Sequence, residues 1–160
     1  MNSEHFDPNP EMDSGELLAQ ARALLSDVSD PVANAANLSS LLYHALGQVN
    51  WVGFYFLRNG ELLVGPFQGK PACVVIPLGK GVCGTAASTR RIQRVADVHR
   101  FEGHIACDAA SRSEIVVPLI SDGRLIGVLD IDSPVPDRFS AEDEALIERV
   151  AEIYIQSIDS

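Results

Sequence analysis

Residues 114–132, EIVVPLISDGRLIGVLDID, contain two apolar runs separated by a tight-turn signal. Both runs are rich in β-branched and aliphatic residues, which favour strands, and the Asp-Gly pair at 122–123 is typical of a two-residue hairpin turn. In the second run Asp130 and Asp132 alternate with apolar residues, so a strand places both carboxylates on one face. Counting outward from the turn brings Glu114 close to Asp130 or Asp132. The stretch therefore predicts a hairpin with three carboxylates on one surface.

Three carboxylates on one surface repel each other unless water or a cation separates them. A solvated sheet end would explain them, but the flanking residues have the apolar character of buried strands. We therefore expect Glu114, Asp130 and Asp132 to lie at the edge of a pocket. Such a cluster would bind an ammonium group, and a member with a raised pKa could donate a proton.

A second hairpin and two further short strands are predicted in the middle of the chain. The run 51–57, WVGFYFL, is aromatic and β-branched, and Asn59-Gly60 provides the turn into a partner strand over 61–67. Further short strands are predicted at 72–77 and within RIQRVAD, residues 91–97.

Helices are predicted at both ends of the chain and once in its middle. The first begins near Gly15, with an apolar face of Leu17, Leu18, Ala21, Leu24, Leu25 and Val28. The others begin at Asp30-Pro31, at Gly81 and at Ser140, which forms a capping-box pattern with Asp143. Helices that flank antiparallel hairpins indicate an α+β domain with helices packed on one sheet.

Length and charge limit the classes of function. The chain has 160 residues, enough for one domain, and 12 basic against 22 acidic residues give a net charge of −10. This charge disfavours nucleic acid and anionic membranes as partners, and no apolar run is long enough to span a bilayer. Residues 1–13 lack the pattern of a signal peptide and are predicted to be a mobile tail, with the domain over 14–160. We expect a cytoplasmic protein whose cysteines are chemical rather than structural.

The stretch 97–114, DVHRFEGHIACDAASRSE, is a long connection that holds two histidines, four carboxylates and Cys107. Long loops in compact domains are usually functional or disordered. His104, Arg112 and nearby backbone amides could lower the pKa of Cys107 and make it a nucleophile. The alternative is a small buried hydrophobic residue, and the sequence pattern leaves both open.

Two other cysteines could take part in redox chemistry. Cys73 follows a Gly-Lys-Pro turn, which suits a thiol that moves to reach Cys107, whereas Cys83 lies in a small-residue helix and packs like alanine. Zinc binding by His99, His104 and Cys107 is the competing interpretation. Their spacing matches no common zinc pattern, so we expect no metal and no cofactor.

Three stretches resemble the free methionine-(R)-sulfoxide reductases, which are single GAF domains. They are VGPFQGKPACVVIPLGKGVCGTAA, VADVHRFEGHIACDAASRSEIVVPL and LIGVLDIDSP, and the similarity covers about residues 35–157. The resemblance implies a six-stranded antiparallel sheet flanked by helices, and a homodimer.

The resemblance also implies an activity and its residues: the reduction of free L-methionine (R)-S-oxide to L-methionine through a cysteine sulfenic acid and an intramolecular disulfide. Cys107 is then the nucleophile, with Cys73 the main resolving thiol and Cys83 a secondary one. Substrate would contact Glu114, Asp130, Asp132, Trp51 and Tyr55, and thioredoxin would regenerate the enzyme. The competing class is a non-catalytic GAF sensory module, which would need no carboxylate cluster.

Overall fold

The computed structural model describes residues 12–105 and 110–159, and its centre is a six-stranded antiparallel sheet. The strands are β1 (Trp51–Arg58), β2 (Glu61–Gly69), β3 (Val75–Pro77), β4 (Gln93–Val95), β5 (Ser113–Ser121) and β6 (Arg124–Ser133). Their order across the sheet is β3-β2-β1-β6-β5-β4. The two predicted hairpins, β1–β2 and β5–β6, therefore lie side by side through β1 and β6.

Helices cover both faces of this sheet. They are α1 (Ser14–Leu24), α2 (Pro31–Ala45), α3 (Gly81–Thr89) and α4 (Ala141–Ile158). The larger apolar cluster joins α1, α2 and α4 to one face, and a smaller cluster joins α3 to the other. The predicted α+β architecture, a six-stranded antiparallel sheet flanked by helices, is confirmed.

The turns and caps form for the reasons that the sequence suggests. Both central residues of each hairpin turn have positive φ, 52° and 78° at Asn59-Gly60 and 49° and 75° at Asp122-Gly123, as type I′ turns require. The capping box at Ser140 is complete, because its side chain accepts from the Asp143 amide and the Asp143 carboxylate accepts from the Ser140 amide.

Two local predictions differ from the structure. Leu24 and Val28 are 43% and 52% exposed, so the apolar face predicted for the first helix is too wide: it holds Leu17, Leu18, Ala21 and Leu25. The strand predicted at 72–77 begins only at Val75; just before it, the Cys73 carbonyl accepts a hydrogen bond from Tyr55 Oη at 3.1 Å.

The predicted N-terminal tail falls almost wholly on residues 1–11, outside the described residues. Of the rest, Met12 donates from its amide to the Ala45 carbonyl at 3.0 Å and Asp13 caps α1. Among the described helices, none combines the length and the apolar composition that crossing a bilayer requires.

Gly53 in β1 allows β1 and β2 to approach each other closely. A Cβ atom built at this position lies 2.3 Å from Phe67 Cβ and 2.7 Å from the Trp51 ring. The Phe67 atom is close to the backbone and cannot rotate away, so a side chain here would push β2 from β1.

We expect Gly53→Ala to lower the free energy of unfolding by about 1–3 kcal/mol, as overpacking does. Gly15→Ala is the matched control, because its Cβ would meet only the Asp13 side chain, at 3.3 Å. It should keep or raise stability by up to about 1 kcal/mol, since alanine favours helices. Urea denaturation of both variants measures this, and equal stabilities would contradict the steric argument.

Candidate active site

Strand register places the acidic residues of β5 and β6 on the face of the sheet that α3 covers. Glu114 is the Cα partner of Asp132, and Asp130 is the Cα partner of Val116, two residues after Glu114 on β5. Side chains two residues apart on a strand share a face. Glu114 and Asp130 are only 8% and 4% exposed, and Asp132 is half-buried.

Helix α3 brings Cys83 to these carboxylates. The Cys83 thiol donates to Glu114 Oε2 over 3.9 Å. The Cys83 sulfur and one carboxylate oxygen each of Glu114 and Asp130 lie within 4.8 Å of one another. Oδ1 of Asp130 is buried and accepts no hydrogen bond from the residues that the structure describes. A buried carboxylate oxygen without a donor is a place where a cation or a donor group would bind.

A small cavity opens beside this group. Its volume is about 30 Å³, close to the share of one liquid water, whereas ligand pockets measure roughly 300–1,000 Å³. Its walls must therefore move before a larger ligand enters. The residues around it come from α3, the sheet and the loop after β4: Tyr55, Ile76, Lys80, Gly81, Val82, Cys83, His104, Ile105, Glu114 and Asp130.

Burial shifts the pKa values of the titratable groups around the cavity. It raises the pKa of Glu114, with the neighbouring Asp130 charge adding to the effect, and it raises the pKa of Asp130, where Asp132 adds to it. Burial and the same carboxylates raise the pKa of the Cys83 thiol. The site therefore holds protons on acidic groups at a pH where exposed carboxyl groups would be ionised.

Trp51 and Tyr55 extend this surface along β1. Trp51 is the Cα partner of Asp132, and its ring stacks against Tyr55 and Phe67 with centroid distances of 5.8 and 5.2 Å. Tyr55 lines the cavity, whereas Trp51 and Asp132 lie on the same face outside its immediate wall. Burial, followed by the Asp130 charge, raises the pKa of Tyr55, which keeps it a neutral phenol.

The two described cysteines differ in state. Cys73 is in a disulfide and is half-buried. Cys83 is a buried free thiol. Cys107, the predicted nucleophile, lies outside the described residues.

The histidines predicted as possible zinc ligands are neighbours. The rings of His99 and His104 meet edge to face with centroids 6.3 Å apart. Burial, with the His99 charge adding to it, lowers the pKa of His104, which lines the cavity. Arg112 is exposed. The third proposed ligand, Cys107, falls outside the described part of the chain.

Sequence reasoning missed the contact between Cys83 and the carboxylates. Cys83 packs in a small-residue helix as predicted, but the same helix faces the acidic row. Only the position of α3 over β5 and β6 reveals this, and that position follows from tertiary packing. The group formed by Cys83, Glu114 and Asp130 has a spacing that could hold a cation, either a metal ion or an ammonium group.

Comparisons with known proteins agree with this fold. The GAF domain family matches residues 17–158. Free methionine-R-sulfoxide reductase of Escherichia coli (strain K12) is 55% identical over 129 residues, which is 81% of this chain and 78% of that protein.

Two solved structures are also similar. The structure of fRMsr of Staphylococcus aureus in its reduced form has a TM-score of 0.91 and 53% identity, covering 93% of this chain and 97% of that one. The free methionine-R-sulfoxide reductase of Neisseria meningitidis in complex with its substrate has a TM-score of 0.88 and 44% identity, covering 91% and 88%.

The raised pKa of Glu114 predicts a pH-dependent cost to stability. A carboxyl group with a folded-state pKa above its unfolded value favours folding below the unfolded pKa, and this contribution is lost as pH rises through the folded pKa. Glu114→Gln removes the titration. We therefore expect the variant to gain stability over the wild type between about pH 5 and 8, by about 1.4 kcal/mol per unit of pKa elevation.

Urea denaturation of the ligand-free proteins between pH 4 and 8 measures this difference. Glu148→Gln on the exposed face of α4 is the control for losing one carboxylate. A stability advantage of Glu114→Gln over the wild type that grows as the pH rises supports a buried acid at position 114. A stability difference between the two proteins that does not change with pH argues against it.

Proposed function

This chain belongs to the GAF domain family and, within it, to the free methionine-R-sulfoxide reductases, and we propose that it reduces free L-methionine (R)-S-oxide to L-methionine. It is an oxidoreductase. The observation that carries the proposal is the buried acidic pair Glu114 and Asp130 on a cavity, in a chain that is 55% identical over 129 residues to an enzyme of this name. The proposed route uses a cysteine sulfenic acid and an intramolecular disulfide.

The first step needs a nucleophile and a proton. A sulfoxide oxygen is a poor leaving group until it is protonated, and Glu114 or Asp130, with a raised pKa, carries a proton that can be donated. The Cys107 thiolate attacks the sulfoxide sulfur, the oxygen passes to the Cys107 sulfur as the S–O bond of the substrate breaks, and methionine leaves with Cys107 as a sulfenic acid. The sulfoxide gains two electrons, which come from the Cys107 sulfur.

The second step forms a disulfide. A resolving thiol attacks the sulfenic acid, the S–S bond forms, and the oxygen leaves as water. We assign this role to Cys73, with Cys83 secondary. The assignment is supported by the disulfide at Cys73 and the free, buried state of Cys83. The high pKa of Cys83 also makes it a poor nucleophile at neutral pH.

The charges around the cavity suit a free amino acid. The carboxylates Glu114, Asp130 and Asp132 would bind the substrate ammonium, and a peptide-bound residue would leave these buried groups unpaired. Lys80 lines the same cavity and would suit the α-carboxylate. Trp51 and Tyr55 would form the wall that contacts the thiomethyl group.

The proposed activity also suggests a reductant, an assembly and a cellular location. We propose thioredoxin as the dithiol that reduces the disulfide, a homodimer as the functional assembly, and the cytoplasm as the location. The cytoplasm supplies the reducing conditions that such a cycle needs.

Cys107→Ser should reduce turnover of free methionine (R)-sulfoxide to below about one hundredth of the wild type, because a serine hydroxyl cannot form the sulfenic acid. Turnover with dithiothreitol, followed by methionine release, tests this. Cys73→Ser should still release about one methionine per chain in a single turnover without reductant. A Cys107→Ser enzyme that retains a tenth of the activity would move the nucleophile elsewhere, and a non-catalytic GAF module would show no turnover in the wild type.

Replacing each carboxylate should separate binding from proton donation. Among Glu114→Gln, Asp130→Asn and Asp132→Asn, a residue that binds only the ammonium should mainly raise KM, and the proton donor should mainly lower kcat. N-acetylmethionine sulfoxide, which lacks the ammonium, should be a poorer substrate by roughly tenfold or more for the wild type, and this preference should shrink in a binding variant. Unchanged kinetics in all three variants would exclude the cluster from the site.

A further inference from the structure

A thiol and two carboxylates converge on the small cavity. The Cys83 sulfur and one carboxylate oxygen each of Glu114 and Asp130 lie within 4.8 Å of one another, and the sulfur is 3.9 Å from Glu114 Oε2. Cys83 and Asp130 are only 5% and 4% exposed, and all three residues line the cavity. The proposed reaction uses the carboxylates but gives the thiol only a secondary part. A ligand that contacts all three groups must bind sulfur as well as oxygen.

Oδ1 of Asp130 indicates that this ligand is a cation. The atom is buried and accepts no hydrogen bond from the described part of the chain, and a buried carboxylate oxygen is costly without a donor or a positive charge. Lys80 also lines the cavity, but neither Asp130 nor Glu114 forms an ion pair with it or with any other residue in the ranges 12–105 and 110–159. A single cation in the cavity would bind Oδ1 and reduce the repulsion between the two carboxylates.

The donor atoms match zinc in kind and in spacing. Zn²⁺ binds thiolate sulfur at about 2.3 Å and carboxylate oxygen at about 2.0–2.2 Å, so a tetrahedral site holds these atoms about 3.3–3.6 Å apart. The distances of 3.9 Å from Cys83 to Glu114 and of at most 4.8 Å within the group are slightly larger, and small side-chain rotations would bring the three atoms onto one ion. Ca²⁺ and Mg²⁺ take oxygen ligands, so the thiol favours a softer ion such as Zn²⁺.

We propose that Cys83, Glu114 and Asp130 form a reversible binding site for one Zn²⁺ ion, and that this ion and the ammonium group of the substrate exclude each other. The metal site stands on the geometry of the three residues, whereas the exclusion rests on the proposed function, in which the two carboxylates bind the substrate. Zinc is therefore an inhibitor and not a cofactor, because the proposed reaction needs no metal. The site differs from the zinc interpretation of the sequence, since it contains neither His99 nor Cys107.

Zinc binding changes the protonation of the site but no oxidation state. Zinc takes cysteine as the thiolate, so the Cys83 proton passes to water as the Zn–S bond forms, and a proton held by either carboxyl group leaves in the same way. The charge of the ion then offsets the negative charges that burial disfavours. His104 lines the cavity but is not within 4.8 Å of all three donor atoms, so water takes the fourth position.

Cobalt(II) spectroscopy tests the site without any turnover. The probe is Co²⁺ added to the full-length variant Cys73→Ser/Cys107→Ser, in which Cys83 is the only remaining cysteine. A thiolate ligand gives Co²⁺ an ultraviolet charge-transfer band, and a tetrahedral site gives strong visible bands. We expect one Co²⁺ per chain with both features, and one equivalent of Zn²⁺ should remove them. The oxidised wild type, in which Cys83 is free and Cys73 is in a disulfide, should give the same spectrum.

Substitutions in the same background identify the ligands. Cys83→Ala should remove the ultraviolet band and weaken zinc binding about a hundredfold or more, because losing only a residue that orients a ligand already costs about 10–100-fold in affinity. Glu114→Gln and Asp130→Asn should each weaken zinc binding about tenfold or more. His99→Asn and Glu148→Gln are the matched controls, since they remove an exposed histidine and an exposed carboxylate, and both should keep the affinity within about twofold.

Competition with the substrate tests the exclusion. Free methionine sulfoxide should remove the cobalt bands at a concentration about tenfold or more below that required of glycine. Glycine is the matched control because it has the same ammonium and carboxylate groups and binds free metal in solution, but lacks the sulfoxide side chain.

Three results would overturn the proposal. They are an ultraviolet band or a zinc affinity that survives Cys83→Ala, loss of the cobalt spectrum in His99→Asn, and, where the wild type reduces methionine sulfoxide, displacement of cobalt by methionine sulfoxide no better than by glycine. A wild type that fails to reduce methionine sulfoxide, together with a cobalt spectrum that depends on Cys83, would refute the proposed function and leave the metal site in place.

Discussion

The pairing of β5 with β6 is the constraint on which the site depends. The type I′ turn at 122–123 starts the pairing, and a one-residue register shift between Leu119 and Ile120 then sets Glu114 against Asp132, with Asp130 on the same face. A slip of one residue would turn every side chain of one strand to the opposite face of the sheet. The acidic row would then be split between the α3 side and the apolar core formed by α1, α2 and α4. The same apolar residues that fill that core therefore hold the carboxylates in place.

The burial of Glu114 and Asp130 lowers the stability of the folded protein but favours ligand binding and proton donation. Burial raises the pKa of Glu114 and Asp130, and ionising either one without a partner charge is unfavourable. A ligand that brings an ammonium group relieves this cost, and an ionisable acid with a raised pKa is a proton donor near neutral pH. Enzymes are commonly less stable than they could be because residues at their sites are selected for binding or catalysis. The large cluster on the opposite face, with Phe54 and Tyr154 in ring contact at 4.7 Å, supplies the stability elsewhere.

Local signals predicted most of the fold. The Asn-Gly and Asp-Gly turns, the Asp30-Pro31 helix start and the capping box at Ser140 each have a mechanism that acts within a few residues, and each formed where it was expected. Counting along one hairpin also predicted that Glu114 lies close to Asp130 or Asp132, but it did not predict the register shift between Leu119 and Ile120 that pairs Glu114 with Asp132. The placement of Cys83 against Glu114 did not, because it depends on how α3 packs over a sheet whose strand order is set by distant segments. The exposure of Leu24 and Val28 was also missed, because helical periodicity shows which face of the first helix is apolar but not how much of that face the rest of the protein covers.

The segment that carries Cys73 links the disulfide to the wall of the site. The Lys70 carbonyl accepts from Trp51 Nε1 and the Cys73 carbonyl accepts from Tyr55 Oη, each at 3.1 Å. The two aromatic side chains assigned to the substrate wall are therefore held by the backbone on either side of Pro71. Any displacement of this segment when the disulfide opens must move or break these two hydrogen bonds. Tyr55 also lines the cavity, so one hydrogen bond joins the segment that carries Cys73 to the wall of the site.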